Sequence, residues 1–137
     1  MKKLFALLTI FVLMFLSTAC KKTDKAGILF NQHKITVENV MNYSYVFQPN
    51  QRIYYLILIP KKIKTDMINI QVIKKDNKYE RLGYKLFWSY SARLNDDEMY
   101  YYDDYVVIPE TGAYIMKVYS KDNPTKLLCM SEFYVRN

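Results

Sequence analysis

From residue 35 onward, hydrophobic positions alternate with polar ones in short runs, and turn residues separate the runs. A period of two sends successive side chains to opposite faces of a strand, and no stretch keeps the 3.6-residue period of an amphipathic helix. Ile35 and Val37 alternate with Thr36 and Glu38, predicting a first strand, and Tyr43, Tyr45 and Phe47 follow before the turn cluster Gln48-Pro49-Asn50. Residues 53–59 are apolar throughout, which predicts a central strand covered on both faces, ended by Pro60. Ile68, Ile70 and Val72 alternate with Asn69 and Gln71 as far as Asp76-Asn77. The longest alternation sets Tyr84, Leu86, Trp88, Tyr90, Ala92 and Leu94 on one face, which is expected to be buried. After an acidic loop at residues 95–98 an aromatic strand runs through Tyr105 to Ile108, and Pro109-Glu110-Thr111-Gly112 turns the chain. Tyr114, Met116 and Val118 then share a face, Lys121-Asp122-Asn123-Pro124 turns again, and residues 127–135 close the chain. Seven or eight strands at this spacing predict an all-β fold, an antiparallel β-sandwich with a small barrel as the alternative.

One segment narrows the choice. Glu110-Thr111-Gly112-Ala113-Tyr114-Ile115-Met116 resembles the tyrosine corner of immunoglobulin-like domains. The resemblance implies that the Tyr114 hydroxyl returns to backbone a few residues upstream. It also puts Met116 where those domains carry their second core cysteine, so no disulfide is expected. The closing Phe133-Tyr134-Val135 resembles the last strand of many bacterial immunoglobulin-like modules. Trp88 falls too close to Tyr114 to be the usual core tryptophan, which leaves the strand order open.

The first residues follow another plan. Lys2 and Lys3 precede an apolar run at residues 4–16, broken only by Thr9, and the small residues Ser17, Thr18 and Ala19 come next. This is the three-part layout of a secretory signal, and a run of 13 residues is short of the ~20 that a spanning helix needs. Leu16-Ser17-Thr18-Ala19-Cys20 resembles the lipobox of bacterial lipoproteins, with Ser17 in the place where that family prefers leucine. The resemblance implies cleavage before Cys20, a diacylglyceryl (palmitate-type) anchor on its sulfur, and a location in the cell envelope. A single acyl chain binds membranes only marginally, so two chains suit a stable anchor. Because Lys21 rather than Asp follows the cysteine, the family's sorting trend favours the outer membrane in a source with two. The expected organisation is a signal peptide at 1–19, the lipidated cysteine and a polar tether at 20–27, and the β-sandwich domain at 28–137.

Composition adds limits. Only 3 Gly and 4 Pro among 137 residues argue against a disordered or repetitive chain. The net charge of +7 is inflated by Lys2, Lys3, Lys21, Lys22 and Lys25; without these and Asp24, 15 bases face 12 acids from Ile28 onward. Nucleic acid is therefore not an expected partner. Charge is unevenly spread: residues 61–85 hold eight bases and three acids, whereas residues 93–110 hold six acids and one base. The two runs are expected to meet a partner of mixed charge or each other.

Catalytic candidates are sparse. His33 stands at the start of the expected first strand, and Cys129 has no partner once Cys20 carries lipid, so it is expected to be a small buried residue on the face of Phe133 and Val135. Two soft ligands do not make a zinc site, and the carboxylates Asp96, Asp97, Glu98, Asp103, Asp104 and Glu110 lack calcium-loop spacing. No metal or other cofactor is expected. The candidate binding residues are Tyr100, Tyr101, Tyr102, Asp103, Asp104 and Tyr105, because an aromatic strand at a surface must point some of its tyrosines outward, where their area and polar tip suit contact. The expectation is a non-catalytic binding or assembly module with an envelope protein or glycan as partner. The alternative is a small envelope hydrolase or enzyme inhibitor acting through the same segment.

Overall fold

The structure is a computed structural model that describes residues 25–75 and 85–137. Its strands are β1 (Gly27–Asn31), β2 (Val46–Phe47), β3 (Arg52–Ile59), β4 (Met67–Lys74), β5 (Lys85–Arg93), β6 (Asn95–Asp96), β7 (Tyr100–Val107), β8 (Gly112–Ser120) and β9 (Leu127–Val135). They form two packed sheets, ordered β1-β3-β7-β6 and β2-β9-β8-β4-β5. All described pairings are antiparallel except that of β2 with β9. This is the immunoglobulin order, in which strands A, B, E and D make one sheet and C, F and G the other. Here β2 continues the first strand onto the second sheet, and β5 extends that sheet past strand C. The order left open by the position of Trp88 is thereby fixed: Trp88 lies on the edge strand β5, and the strand C residue opposite Met116 is Val72.

The alternation read from the sequence becomes burial. Ile53, Tyr55, Ile57 and Ile59 of β3 are fully buried, as are Ile68, Ile70 and Val72 of β4 and Tyr114, Met116 and Val118 of β8. At one end of the sandwich Phe30, Phe47 and Phe133 meet, with Phe30 and Phe133 ring centres 4.9 Å apart, and Tyr114 stacks on Phe133 at 5.6 Å. Burying one such side chain is worth about 1.5–3 kcal/mol, so this inner layer holds the sheets together without a disulfide. The corner resemblance holds in geometry, since the Tyr114 hydroxyl donates to the Glu110 carbonyl.

Four readings need correction. Ile35 and Val37 form no strand; they belong to the loop between β1 and β2, and His33 lies in a bend rather than at a strand start. The true first strand is Gly27–Asn31, whose inward pair Ile28 and Phe30 is too short to announce itself as a period. Residues 53–59 are not covered equally on both faces, because Tyr54, Leu56 and Leu58 stay half-buried on the outside of the sandwich. On β5 a bulge opposite Val72 and Ile73 reverses the pattern: Phe87 packs edge-on against Tyr114 at 5.8 Å, and Leu86 is 57% exposed. Tyr84, the Asp76-Asn77 turn and everything before Lys25, Cys20 included, lie outside the described residues.

Candidate functional site

The expected binding segment is β7, and its alternation divides the six residues between two surfaces. Tyr101, Asp103 and Tyr105 pair across β3 with Leu58, Leu56 and Tyr54, which point out of the sandwich. Tyr100, Tyr102 and Asp104 pair with Ile59, Ile57 and Tyr55, which point into it. One run of sequence therefore serves two environments.

On the outer surface the loop between β1 and β2 folds back over the sheet. Asn39 holds it: its Oδ1 accepts from the Thr36 amide at 2.8 Å and its Nδ2 donates to the Lys34 carbonyl at 2.8 Å. Asn31, at the end of β1, donates through Nδ2 to the Asn39 carbonyl at 3.2 Å. Between loop and sheet lie two hollows of about 330 and 430 Å³ that share Ile35 and Asp103 and together make a trough. The first is walled by Lys34, Arg52, Tyr54 and Tyr105, the second by Val37, Val40, Leu56 and Tyr101. The Arg52 guanidinium lies 4.8 Å from the Tyr105 ring centre, and Tyr105 packs on Tyr54 at 5.7 Å. Among the described residues Asp103 forms no ion pair. The trough thus offers flat rings, an apolar floor and exposed charges of both signs, the mixture that orients a partly polar ligand.

The inner surface is a ladder of rings. Tyr55, Tyr102, Tyr90 and Trp88 follow one another at 6.3, 6.4 and 5.8 Å. Tyr102 donates to Asp104 Oδ2 at 3.0 Å, and Asp104 Oδ1 accepts the Tyr105 amide at 2.8 Å. Burial, followed by the neighbouring Tyr102 and Asp104, raises the Tyr55 pKa, and burial together with the Asp104 contact raises that of Tyr102. Both phenols stay protonated and poorly suited to proton transfer near neutrality. The Tyr55 hydroxyl is buried with no hydrogen-bond partner. Because β6 pairs only with Tyr100 and Tyr101, the ladder opens outward at Tyr90, which is 47% exposed.

The opposed charge runs meet each other in part. Lys61 pairs with Asp96 at 2.6 Å and Lys74 with Glu110 at 2.7 Å. The acids do not converge, since Asp103 and Asp104 point to opposite faces, Asp96 lies beside the start of β7 opposite Tyr100, and Glu110 follows its far end. Among the described residues no three His, Cys, Asp or Glu side chains stand close enough to hold a metal. Cys129 faces inward opposite Val118 and packs against the core, and burial pushes its thiol up to about 12. An activated nucleophile needs the reverse shift.

Half of the trough, the β7 residues Tyr101, Asp103 and Tyr105, is visible in the sequence, and the other half is not. The apolar pattern places Ile35 in a strand and Tyr54 in a central one, and it does not single out Lys34 or Arg52. The signal available was Asn39, a residue type that bonds to local backbone and so favours a folded loop over a strand. No protein-family model matches the chain, and a search of curated proteins finds no match.

Proposed function

We propose that this protein is a lipid-anchored component of a bacterial cell envelope, held to the membrane through an acylated Cys20, and that its domain is a binding module acting without catalysis. The anchor rests on the lipobox-like segment that ends in Cys20. The binding reading rests chiefly on the trough, where Tyr101, Asp103 and Tyr105 of the aromatic strand meet Arg52, Tyr54 and the 34–40 loop. Exposed rings with a guanidinium and a carboxylate suit a polar surface such as a glycan or a loop of another envelope protein, with the outer membrane as the favoured site in a source with two membranes. The step from sandwich to binding is one of analogy, so the site carries the weight.

Two measurements test the two halves. Intact mass of the protein purified from its own membranes should show a chain starting at Cys20 and carrying acyl groups, and Cys20→Ala should leave it unprocessed or released. A photo-reactive residue in place of Tyr105 should capture a discrete partner in intact cells, whereas one at Ser89, on the outside of the other sheet, should not. Equal capture at both positions would remove the trough from consideration.

A further inference from the structure

The loop that walls the trough has a second side. The amides of Asn39 and Val40 both donate to the Thr36 carbonyl, at 3.2 and 3.0 Å, so residues 36–40 close one helical turn. Val37 stands at the rim of the hollow that Ile35 and Val40 line over Leu56, and Met41 follows just after the turn, outside the hollow. Val37 is 90% and Met41 79% exposed, more than any other large hydrophobic side chain among the described residues. Slack chain does not explain this, because the Asn39 bonds fix the turn. A sheet-covering loop held this firmly, with two apolar side chains close together in water, suits a surface of contact.

The place of the turn says what that is. Val37 and Val40 lie beside Leu56 and Tyr101; Tyr101 is opposite Leu58, and Leu58 is opposite Gly27, where β1 begins. The turn therefore sits about two strand residues, or roughly 7 Å, from the row where the chain enters the fold. Between Cys20 and Gly27 the chain can reach at most about 25 Å even when fully extended. An acyl anchor on Cys20, on which this inference rests, keeps the turn close to the bilayer. Charges of both signs share this end of the sandwich, among them the Lys61–Asp96 pair and, beside Met67, Arg93, Lys121 and Asp122, so the small positive excess adds headgroup attraction to the apolar contact without replacing it.

We infer that the 36–41 turn inserts Val37 and Met41 into the boundary between headgroups and acyl chains of the bilayer that holds Cys20, and so fixes the outer face of the first sheet toward the membrane. Apolar side chains gain by entering this layer. The tether makes a weak contact sufficient, because it raises the local concentration of the turn at the surface into the millimolar range. The trough then opens near the membrane surface, within reach of ligands displayed there.

The test uses the mature acylated protein in vesicles of phosphatidylethanolamine and phosphatidylglycerol. Nitroxide labels are placed through Val37→Cys, Met41→Cys or, at the opposite end of the sandwich, Thr111→Cys, each with Cys129→Ser. Labels at 37 and 41 should collide with a water-soluble chromium complex several-fold less, and with oxygen several-fold more, than the label at 111. Equal chromium access at all three positions in membrane-bound protein overturns the inference. A mass without acyl groups sinks the anchor reading separately. The same labels, read on the chain from residue 21 with an amino-terminal histidine tag on nickel-chelating vesicles, then decide the turn: shielding at 37 and 41 upholds its affinity for bilayers, and open access refutes it.

Discussion

The Tyr114 hydroxyl donates to the Glu110 backbone carbonyl at 2.8 Å, bridging the turn that carries the chain from one sheet to the other. The ring behind that hydroxyl is buried between Phe133 and Phe87. Tyr114→Phe keeps the ring and loses the bond, so stability should fall by about 1 kcal/mol, seen as a lower midpoint in urea with an unchanged slope. Binding at the trough should not change, because Tyr114 belongs to the other sheet. An unshifted midpoint would deny the corner its structural role.

Tyr55 should behave in the opposite way. Its hydroxyl is buried without a partner, and a buried polar group in that state costs about 1–3 kcal/mol. Tyr55→Phe removes the oxygen and keeps the ring against Tyr102, so the variant should be more stable by about 1 kcal/mol in chemical denaturation. Loss of stability would mean instead that a water bridges this hydroxyl to its neighbours.

Cys129 sets an alkaline limit. Its thiol is raised from 9.0 in the reference state to about 12 in the fold by burial, so the folded state holds the proton more tightly than the unfolded chain. For a raised acid this stability is complete below about pH 9 and is lost as pH climbs from there toward 12. Cys129→Ala should flatten the decline between pH 9 and 10, before the tyrosines contribute, as followed by denaturation at fixed temperature. The native thiol should also react slowly with maleimide at pH 7 and quickly after unfolding.

Much of the fold was legible because one face of most strands is buried, and burial writes a period of two into the chain. Ile68, Ile70 and Val72, or Tyr114, Met116 and Val118, could hardly be read otherwise. The failures have physical causes. Gly27–Asn31 offers only two inward positions, and Ile35 and Val37 alternate by accident in a loop where Ile35 is half-buried and Val37, at the rim of the same hollow, is mostly in water. The bulge opposite Val72 and Ile73 inverts the face of Leu86, which no alternation count could anticipate. The candidate site was half legible: the strand Tyr100–Val107 stood out by composition, but its neighbours come from the 34–40 loop and from β3, which only the fold brings beside it.

The aromatic strand β7 divides by face. Tyr105 lies on the outer surface, 43% exposed, between Arg52 and Tyr54 at the trough, whereas Tyr102 lies on the inner surface between Tyr55 and Tyr90. Tyr105→Ser should reduce crosslinked partner at least tenfold, a loss of about 1.4 kcal/mol or more in affinity, while the denaturation midpoint stays within the scatter of surface substitutions. Tyr102→Ser should do the reverse, because it takes a ring from the ladder and leaves Asp104 without its hydroxyl donor. Asp103→Asn should weaken capture without unfolding the domain, since Asp103 is exposed and in no ion pair among the described residues. The charges at the trough are open to solvent, so capture by the unaltered protein should also fall as salt shortens the screening length from about 10 Å at 0.1 M to about 3 Å at 1 M. Should Tyr102→Ser abolish capture with stability intact while Tyr105→Ser leaves capture unchanged, the working surface would be the inner ladder at the open flank beside β5, and the trough would be incidental.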